Sequence, residues 1–303
     1  MLPLFTPFIL SILLVGTVLL CLVGEWQMSV ILLVIAFIIN RKTKCFPLRV
    51  FSFSKEVPGR KLRVMSFNVN SNFSDIIIRA QETADLIKKN SPDVVFITEL
   101  GDKNRAIMDD ILKKDYPYSE FEYSVPHCFY SKYPLCNWSV LEKNTDIKGS
   151  CVCNVQFGEI MIGLIGCHFA SNNYNNHHYF TPKAIKGLKS LTIYLNNIYN
   201  ASNQRQDEAK IVRTAVLNEI HPVIVMGDFN DVSGSETMCE IEKSGLKDAW
   251  WKKGIGYGAT IHYPLPFRID HIFFSNKLSL NKIWLVQSNG LSDHDALVAD
   301  FVY

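Results

Sequence analysis

From Pro3 to Gly24 the chain reads PLFTPFILSILLVGTVLLCLVG, 22 residues without a charge. As a helix this run spans roughly 33 Å, which matches the hydrocarbon core of a bilayer. A cleavable signal sequence is the competing reading. No basic segment precedes the run, however, it is too long, and no small-x-small cleavage site follows it. A retained anchor is therefore expected. A second apolar run, MSVILLVIAFII at 28–39, is only 12 residues long. It is read either as a short second span or as a segment lying in the interface. Arg41, Lys42, Lys44, Arg49 and Lys55 come next, then Arg60, Lys61 and Arg63. The positive-inside rule places this junction in the cytoplasm, and a helical hairpin with both ends cytoplasmic satisfies it. The opposite topology needs a third crossing, for which residues 45–53 are too short and are interrupted by Pro47 and Arg49.

Residues 1–46 carry Arg41, Lys42 and Lys44 against Glu25, a net +2, and the whole chain is also +2. Residues 47–303 are therefore neutral. A protein that grips long nucleic acid shows a basic excess or stripe. Here the excess is juxtamembrane, where it suits anionic headgroups equally well. The eight cysteines form no CxxC pair and no zinc-like spacing with histidine. Cys151 and Cys153 alternate on one strand face, as small buried side chains do. Disulfides stay open as an alternative should the domain lie outside the cytoplasm.

Beyond residue 60 the pattern is that of one large mixed domain. Strands are expected at 62–70, 93–100, 223–230, 267–275, 282–287 and 296–302, and helices at 74–90 and 235–246. Residues 123–135, 151–157 and 159–171 read as consecutive antiparallel strands. The segment 182–220 reads as helical, split by a break at YNASNQ (199–204). Strands and helices in this order suggest two sheets packed face to face, with helices outside.

Polar residues recur at the ends of apolar strands: Asn68, Glu99, His168, Asp228 with Asn230, Asp270, and Asp293 with His294. Taken singly, each is most simply a turn residue or a satisfied polar group. Together they mark one sheet edge, because each would be costly to bury without a partner. In GDFND (227–231) alternation sets Asp228 and Asn230 on one face and turns Phe229 to the other.

The blocks SFNVN (66–70), TEL (98–100), GCHFAS (166–171), GDFND (227–231), RIDHIF (268–273) and LSDHDAL (291–297) resemble the endonuclease/exonuclease/phosphatase superfamily. They occur in family order across residues 62–302. The resemblance implies an α+β fold, the four-layered αββα sandwich of deoxyribonuclease-like proteins, here preceded by N-terminal transmembrane helices. The anchor looks like that of bacterial membrane-attached members. The expected division is an anchor at 1–46, a juxtamembrane linker at 47–60 and a catalytic domain at 61–303.

The resemblance also implies roles. Glu99 is similar to the principal ligand of a divalent ion, with Asn68 as a supporting ligand and Asp293 as a second metal-side carboxylate. Hard oxygen donors without thiols suit Mg²⁺ or Mn²⁺. Asp228 resembles the residue that orients or deprotonates the attacking water, and Asn230 the one that holds a phosphate oxygen or the nucleophile. His294 resembles the histidine that stabilises charge on the phosphoryl group, oriented and kept cationic by Asp270. His168 resembles a donor to the phosphate or leaving oxygen and is also a substrate-binding candidate. Tyr174, Asn175, Asn176, His177 and His178 follow in a loop suited to substrate recognition, with Asn176 assigned to binding; a solvated polar loop is the plain alternative. Trp250 and Trp251 either pack a helix on the sheet or face membrane or substrate. Tyr257 and Thr260 are placed at the site rim.

The expected function is a membrane-anchored, Mg²⁺-dependent phosphoric ester hydrolase, a phosphodiesterase or phosphatase, sited at the bacterial cytoplasmic membrane. Charge puts the catalytic domain in the cytoplasm; an envelope substrate would demand the outside. A lipid-linked or small phosphate ester is favoured over nucleic acid, and a monomer is expected. The alternatives are a metal-dependent nuclease acting on DNA or RNA and an inactive membrane scaffold.

Overall fold

The computed structural model describes residues 2–49, 57–70, 76–122, 125–141, 149–172, 188–262 and 265–303. The chain runs through α1 (Leu2–Leu22), α2 (Trp26–Thr43), β1 (Lys61–Asn68), α3 (Ile76–Asn90), β2 (Val94–Thr98) and α4 (Asp102–Leu112). β3 (Tyr118–Phe121), β4 (His127–Ser131), β5 (Leu135–Val140), β6 (Gly149–Phe157), β7 (Ile160–His168) and α5 (Leu188–Asn218) follow. The last elements are β8 (Val223–Asp228), α6 (Glu236–Glu242), β9 (Lys247–Asp248), α7 (Ala249–Lys253), β10 (Asp270–Phe274), β11 (Ser279–Val286) and β12 (Ala296–Val302).

Two six-stranded sheets stack face to face, ordered β11-β12-β1-β2-β4-β3 and β5-β6-β7-β8-β10-β9. Parallel pairs β1·β2 and β7·β8 sit at the centre of each. Central strands are covered on both faces, so β2 and β8 read as near-continuous apolar runs. On β2, Val94 and Phe96 enter the core between the sheets, whereas Val95 and Ile97 face outward under α3 and α4. On β8, Ile224 and Met226 point inward, and Val223 and Val225 pack under α5 and α6. Helix, sheet, sheet and helix are the four expected layers. Cys151 and Cys153 lie in the core between the sheets, and all eight cysteines are free thiols.

Three expectations change. The segment 182–220 has no break at 199–204: α5 runs unbroken, because Ile198, Ala201, Arg205, Ala209 and Val212 keep one buried stripe through the polar stretch. Within the expected strand 123–135, β4 does not join the two strands that follow. β4 pairs with β2 and β3 in one sheet, and after Pro134, which has no N–H to offer a ladder, the chain enters the other sheet as β5. The second apolar run lies within an 18-residue helix, because Trp26 and Gln27 before it and Asn40 to Thr43 after it extend the helix at both ends.

Helices α1 and α2 form a tight hairpin turned at Gly24, whose φ of 86° suits a residue without Cβ. Both are long and apolar enough to cross a membrane. Ile12, Val15, Val18, Leu22, Val30 and Ile38 are exposed on their outer faces. An apolar surface that extensive marks a membrane or an interaction face.

The sheets approach closely where Gly166 on β7 faces Phe96 on β2: a Cβ there would lie 2.2 Å from the Phe96 ring. Gly166→Ala should cost about 1–3 kcal/mol in urea unfolding of the detergent-solubilised chain. The Gly166→Ala/Phe96→Leu double variant should lose less than the sum of the two singles, since one clash is shared.

Candidate active site

Every strand-end residue singled out above that the structure describes lies at one end of the sandwich, where both sheets finish. Asn68 ends β1, and Glu99 follows β2. His168 ends β7, and Asp228 ends β8. Asp270 opens β10, and His294 lies just ahead of β12. Antiparallel pairing sets Asp270 opposite Asp228, and parallel pairing sets His168 beside Asp228.

Asn68 holds the two sheets' acids together. Its Nδ2 donates to Glu99 Oε1 at 3.1 Å and to Asp228 Oδ2 at 3.0 Å, while its Oδ1 accepts from the Asn70 N–H. Asp228 Oδ1 accepts the backbone N–H of Asn230 at 2.8 Å. Asn230 also donates its Nδ2 to the Phe169 carbonyl, which ties the loop after β8 to that after β7. Phe229 turns away into the core against Phe169 and Phe273, as alternation requires. Gly227 cannot be larger: a Cβ would lie 1.9 Å from the Cys167 carbonyl oxygen.

Two site residues occupy the left-handed backbone region, Glu99 at φ 58° and Asn230 at φ 50°. Asparagine tolerates it through local hydrogen bonding; for glutamate it costs on the order of 1–2 kcal/mol. Strain of this kind gathers at functional sites.

His294 Nδ1 pairs with Asp270 Oδ2 at 2.8 Å, leaving Nε2 3.9 Å from Asp228 Oδ2. Burial opposes the charged ring. The Asp270 carboxylate and its hydrogen bond, with Asp228 and Asp293, outweigh this and push the pKa up to about 10. His294 is thus a cation at neutral pH, with one N–H held and the other aimed into the site. His168 lies almost fully buried, its Nε2 3.4 Å from Glu99 Oε1 and 4.0 Å from Asp228 Oδ2, with neither ring nitrogen in a hydrogen bond. His127 on β4 packs edge-on against it at 5.5 Å.

Glu99, His168 and Asp228 each bring a ligand atom within 4.8 Å of the others, the spacing of a metal site. Asp228, Asp270 and His294 do the same, but there the Asp270–His294 hydrogen bond already uses one ring nitrogen. The oxygen-rich first group, with an orphaned imidazole, fits a hard divalent ion. Asp293 is exposed and accepts from Asn70 Nδ2 at 2.9 Å, outside both groups. Asn176, with Tyr174, Asn175, His177 and His178, falls outside the described residues.

Several supporting residues escaped sequence reasoning. Thr260, placed only at the rim, is buried, and its hydroxyl accepts the N–H groups of Ile269 and Asp270. Ser292 donates to the Asn68 carbonyl at 2.7 Å and accepts the His294 N–H, joining β1 to the histidine loop. Arg205 in α5 holds Asp231, the Ala170 carbonyl and Asn172. The spacing of Ser292, two residues before His294, is that of a hydroxyl turn and was a legible signal. Nothing in the sequence alone pointed Arg205 at the site. Trp250 is in the core, and Asp248 caps the short helix that carries it.

The endonuclease/exonuclease/phosphatase family model matches residues 65–294, most of the chain and every strand that carries a site residue. The chain belongs to this family. Family members hydrolyse phosphate esters with divalent metals, and the four-layered sandwich is theirs. Among solved structures, an endonuclease/exonuclease/phosphatase from Beutenbergia cavernae is 17% identical, with TM-score 0.61 over 80% of this chain and 72% of that one. Truncated TDP2 from Caenorhabditis elegans is 18% identical, with TM-score 0.58 over 80% and 98%. Beta toxin from Staphylococcus aureus is 17% identical, with TM-score 0.52 over 78% and 99%. These likenesses are of fold. No curated protein sequence matches the chain.

The raised pKa has a measurable consequence. With a folded value of about 10 against 6.5, the protonated ring stabilises the fold fully below pH 6.5, and that contribution is lost as pH rises through about 10. By NMR of the ring, His294 in the metal-free chain should stay protonated through neutral pH. Asp270→Asn should bring its titration down several pH units; an unshifted titration would mean that Asp270 does not hold the charge.

Proposed function

We propose that this chain is a membrane-anchored, divalent-metal-dependent hydrolase of phosphate esters, in which water attacks phosphorus. The observation that carries the reading is the cross-sheet cluster: two acids sharing the Asn68 amide, an orphaned His168 ring, and a cationic His294 beside Asp228.

Glu99 would hold the metal, with Asn68 beside it and His168 and Asp228 on the inner side. Asp293 stands farther out as a second acid. When bound, the ion supplies Lewis-acid polarisation of a phosphoryl oxygen and neutralises charge that develops there. Asp228 orients the attacking water and draws off its proton, its second oxygen being fixed by the Asn230 N–H. Asn230 and His168 contact phosphate oxygens or the leaving group, and Asn176 is retained as a substrate-binding candidate. The His294 Nε2–H donates to the phosphoryl group as negative charge gathers, and Asp270, set by the Thr260 hydroxyl, keeps that ring charged and aimed. Phosphoryl transfer asks mainly for this combination of positioning and charge.

Anchor, linker and catalytic domain are read as 1–46, 47–60 and 61–303, with the catalytic domain on the cytoplasmic side and the protein a monomer. A neutral soluble region and two apolar helices support a lipid-linked or small phosphate ester over nucleic acid. Mg²⁺ is the expected ion, with Mn²⁺ able to replace it. The second reading, a nuclease, draws on Danio rerio TDP2, solved with a single-strand DNA product and sharing this fold at 17% identity.

The test is release of product by the full chain in detergent from an isoprenyl pyrophosphate, a phosphoinositide, sphingomyelin and plasmid DNA, side by side with Mg²⁺. Lipid phosphate should be hydrolysed, chelator should abolish the activity, and Asp228→Asn should lower it by roughly two to four orders of magnitude. Plasmid nicking alone, lost in Asp228→Asn, would establish the nuclease reading. No hydrolysis of any of the four would leave the inactive scaffold.

A further inference from the structure

The helical hairpin is not a tether that leaves the catalytic domain swinging. Phe8, in the second turn of α1, meets Phe267 edge-on with centroids 6.5 Å apart. Leu10 is buried in a cluster with Ala36 of α2, Cys45, Phe46 and Tyr257. At the far end of α2, the Arg41 guanidinium lies over the Trp251 ring, and Lys44 pairs with Glu242 of α6. The turn that follows is held by Arg268, which is 1% exposed and donates to the Lys44 carbonyl while paired with Asp248. Gly234 packs against Thr43 so closely that a Cβ would lie 2.6 Å from its Cα.

This docking fixes a depth. Residues Pro3 to Leu10 of α1 amount to about 12 Å of helix at 1.5 Å per residue. They belong to the uncharged run, yet Phe267 and Tyr257 of the family domain pack against Phe8 and the Leu10 cluster, so α2 alone does not cover them. The domain segment that touches them must therefore sit at the level where an apolar helix leaves the hydrocarbon. That segment presents Ile255, 53% exposed, and Leu265, 40% exposed, with Lys252 exposed and Lys253 close to Arg49. Apolar tips beside cations suit the boundary between acyl chains and anionic headgroups. The same segment borders the candidate active site: Ile261 pairs with both Phe267 and His294, the Thr260 carbonyl accepts the Asp295 N–H, and His262 pairs with Asp295 at 2.9 Å.

We propose that residues 251–262 together with 265–267 form a bilayer-contacting face, seated on the phospholipid headgroups of the membrane that α1 and α2 cross, so that the site opens at the lipid surface. Its substrate is then a phosphate ester carried by a membrane lipid and drawn from that surface. This rests on the membrane-anchored hydrolase reading and narrows its substrate class.

The experiment uses the full chain in vesicles of phosphatidylethanolamine and phosphatidylglycerol, in a Cys239→Ser background that removes the exposed thiol. A bimane probe is attached at Ile255→Cys, at Leu265→Cys, or at Lys114→Cys beyond α4 over the other sheet. Lipids spin-labelled near the headgroup should quench the probes at 255 and 265 several-fold more than the probe at 114. Equal quenching at the three positions overturns the proposal. The readout involves no catalysis, so its failure is separate from failure of the hydrolase reading, which the detergent assay tests alone. As a second variant, Ile255→Glu/Leu265→Glu should raise KM for vesicle-borne lipid phosphate by roughly tenfold or more, as loss of the lipid-contacting parts of two half-exposed apolar side chains implies. It should leave hydrolysis of a water-soluble phosphodiester unchanged. Equal effects on both substrates, or none on either, would contradict a membrane-seated face.

Discussion

Glu99 and Asp228 come from different sheets, and both accept a hydrogen bond from the one side-chain amide of Asn68. Two carboxylates this close repel each other, and burial makes the repulsion worse. The Asn68 amide, like the Asn230 N–H on Asp228, is a neutral donor and does not cancel their charge. The site therefore requires positive charge from elsewhere. His294 provides one cation, already paired with Asp270, and under the proposed function a divalent ion would supply further positive charge. The stacking of the sheets is what brings these acids together. The absence of a side chain at Gly166 and at Gly227 is what lets the strands approach far enough.

Most of this architecture was legible because buried strands announce themselves. Runs such as VVFIT and VIVMGD are apolar on both faces, which is the signature of central strands under helices. Polar residues at their ends then had to share an edge, since a polar side chain in that position needs partners. The failures have equally local causes. Asn and Ser in the middle of α5 resemble a break in composition, yet the buried stripe beneath them is uninterrupted, and tertiary packing overrides propensity. Alternation shows that β4 is a strand but not which sheet it joins; that is decided at Pro134. The left-handed backbone at Glu99 and the reach of Arg205 to Asp231 are three-dimensional facts with no mark in a single sequence.

The apolar hairpin and the candidate active site read as separate modules in the sequence. In the fold they share a boundary: Arg268, two residues before Asp270, fastens the turn that leaves α2. The strand that aims His294 is thereby joined to the hairpin by a side chain that is itself almost fully buried. Under the membrane-anchored reading, these contacts would set how the family domain sits on the bilayer.

The central claim is that the seam between the sheets holds a divalent ion through Glu99, beside Asp228. Calorimetric titration of the full chain in detergent with Mn²⁺ addresses it directly. One ion should bind, and Glu99→Gln should weaken it by at least the ~10–100-fold that loss of a mere outer-shell partner costs, with Asp293→Asn having a smaller effect. Absence of binding heat, or an affinity unchanged in Glu99→Gln, would contradict the account.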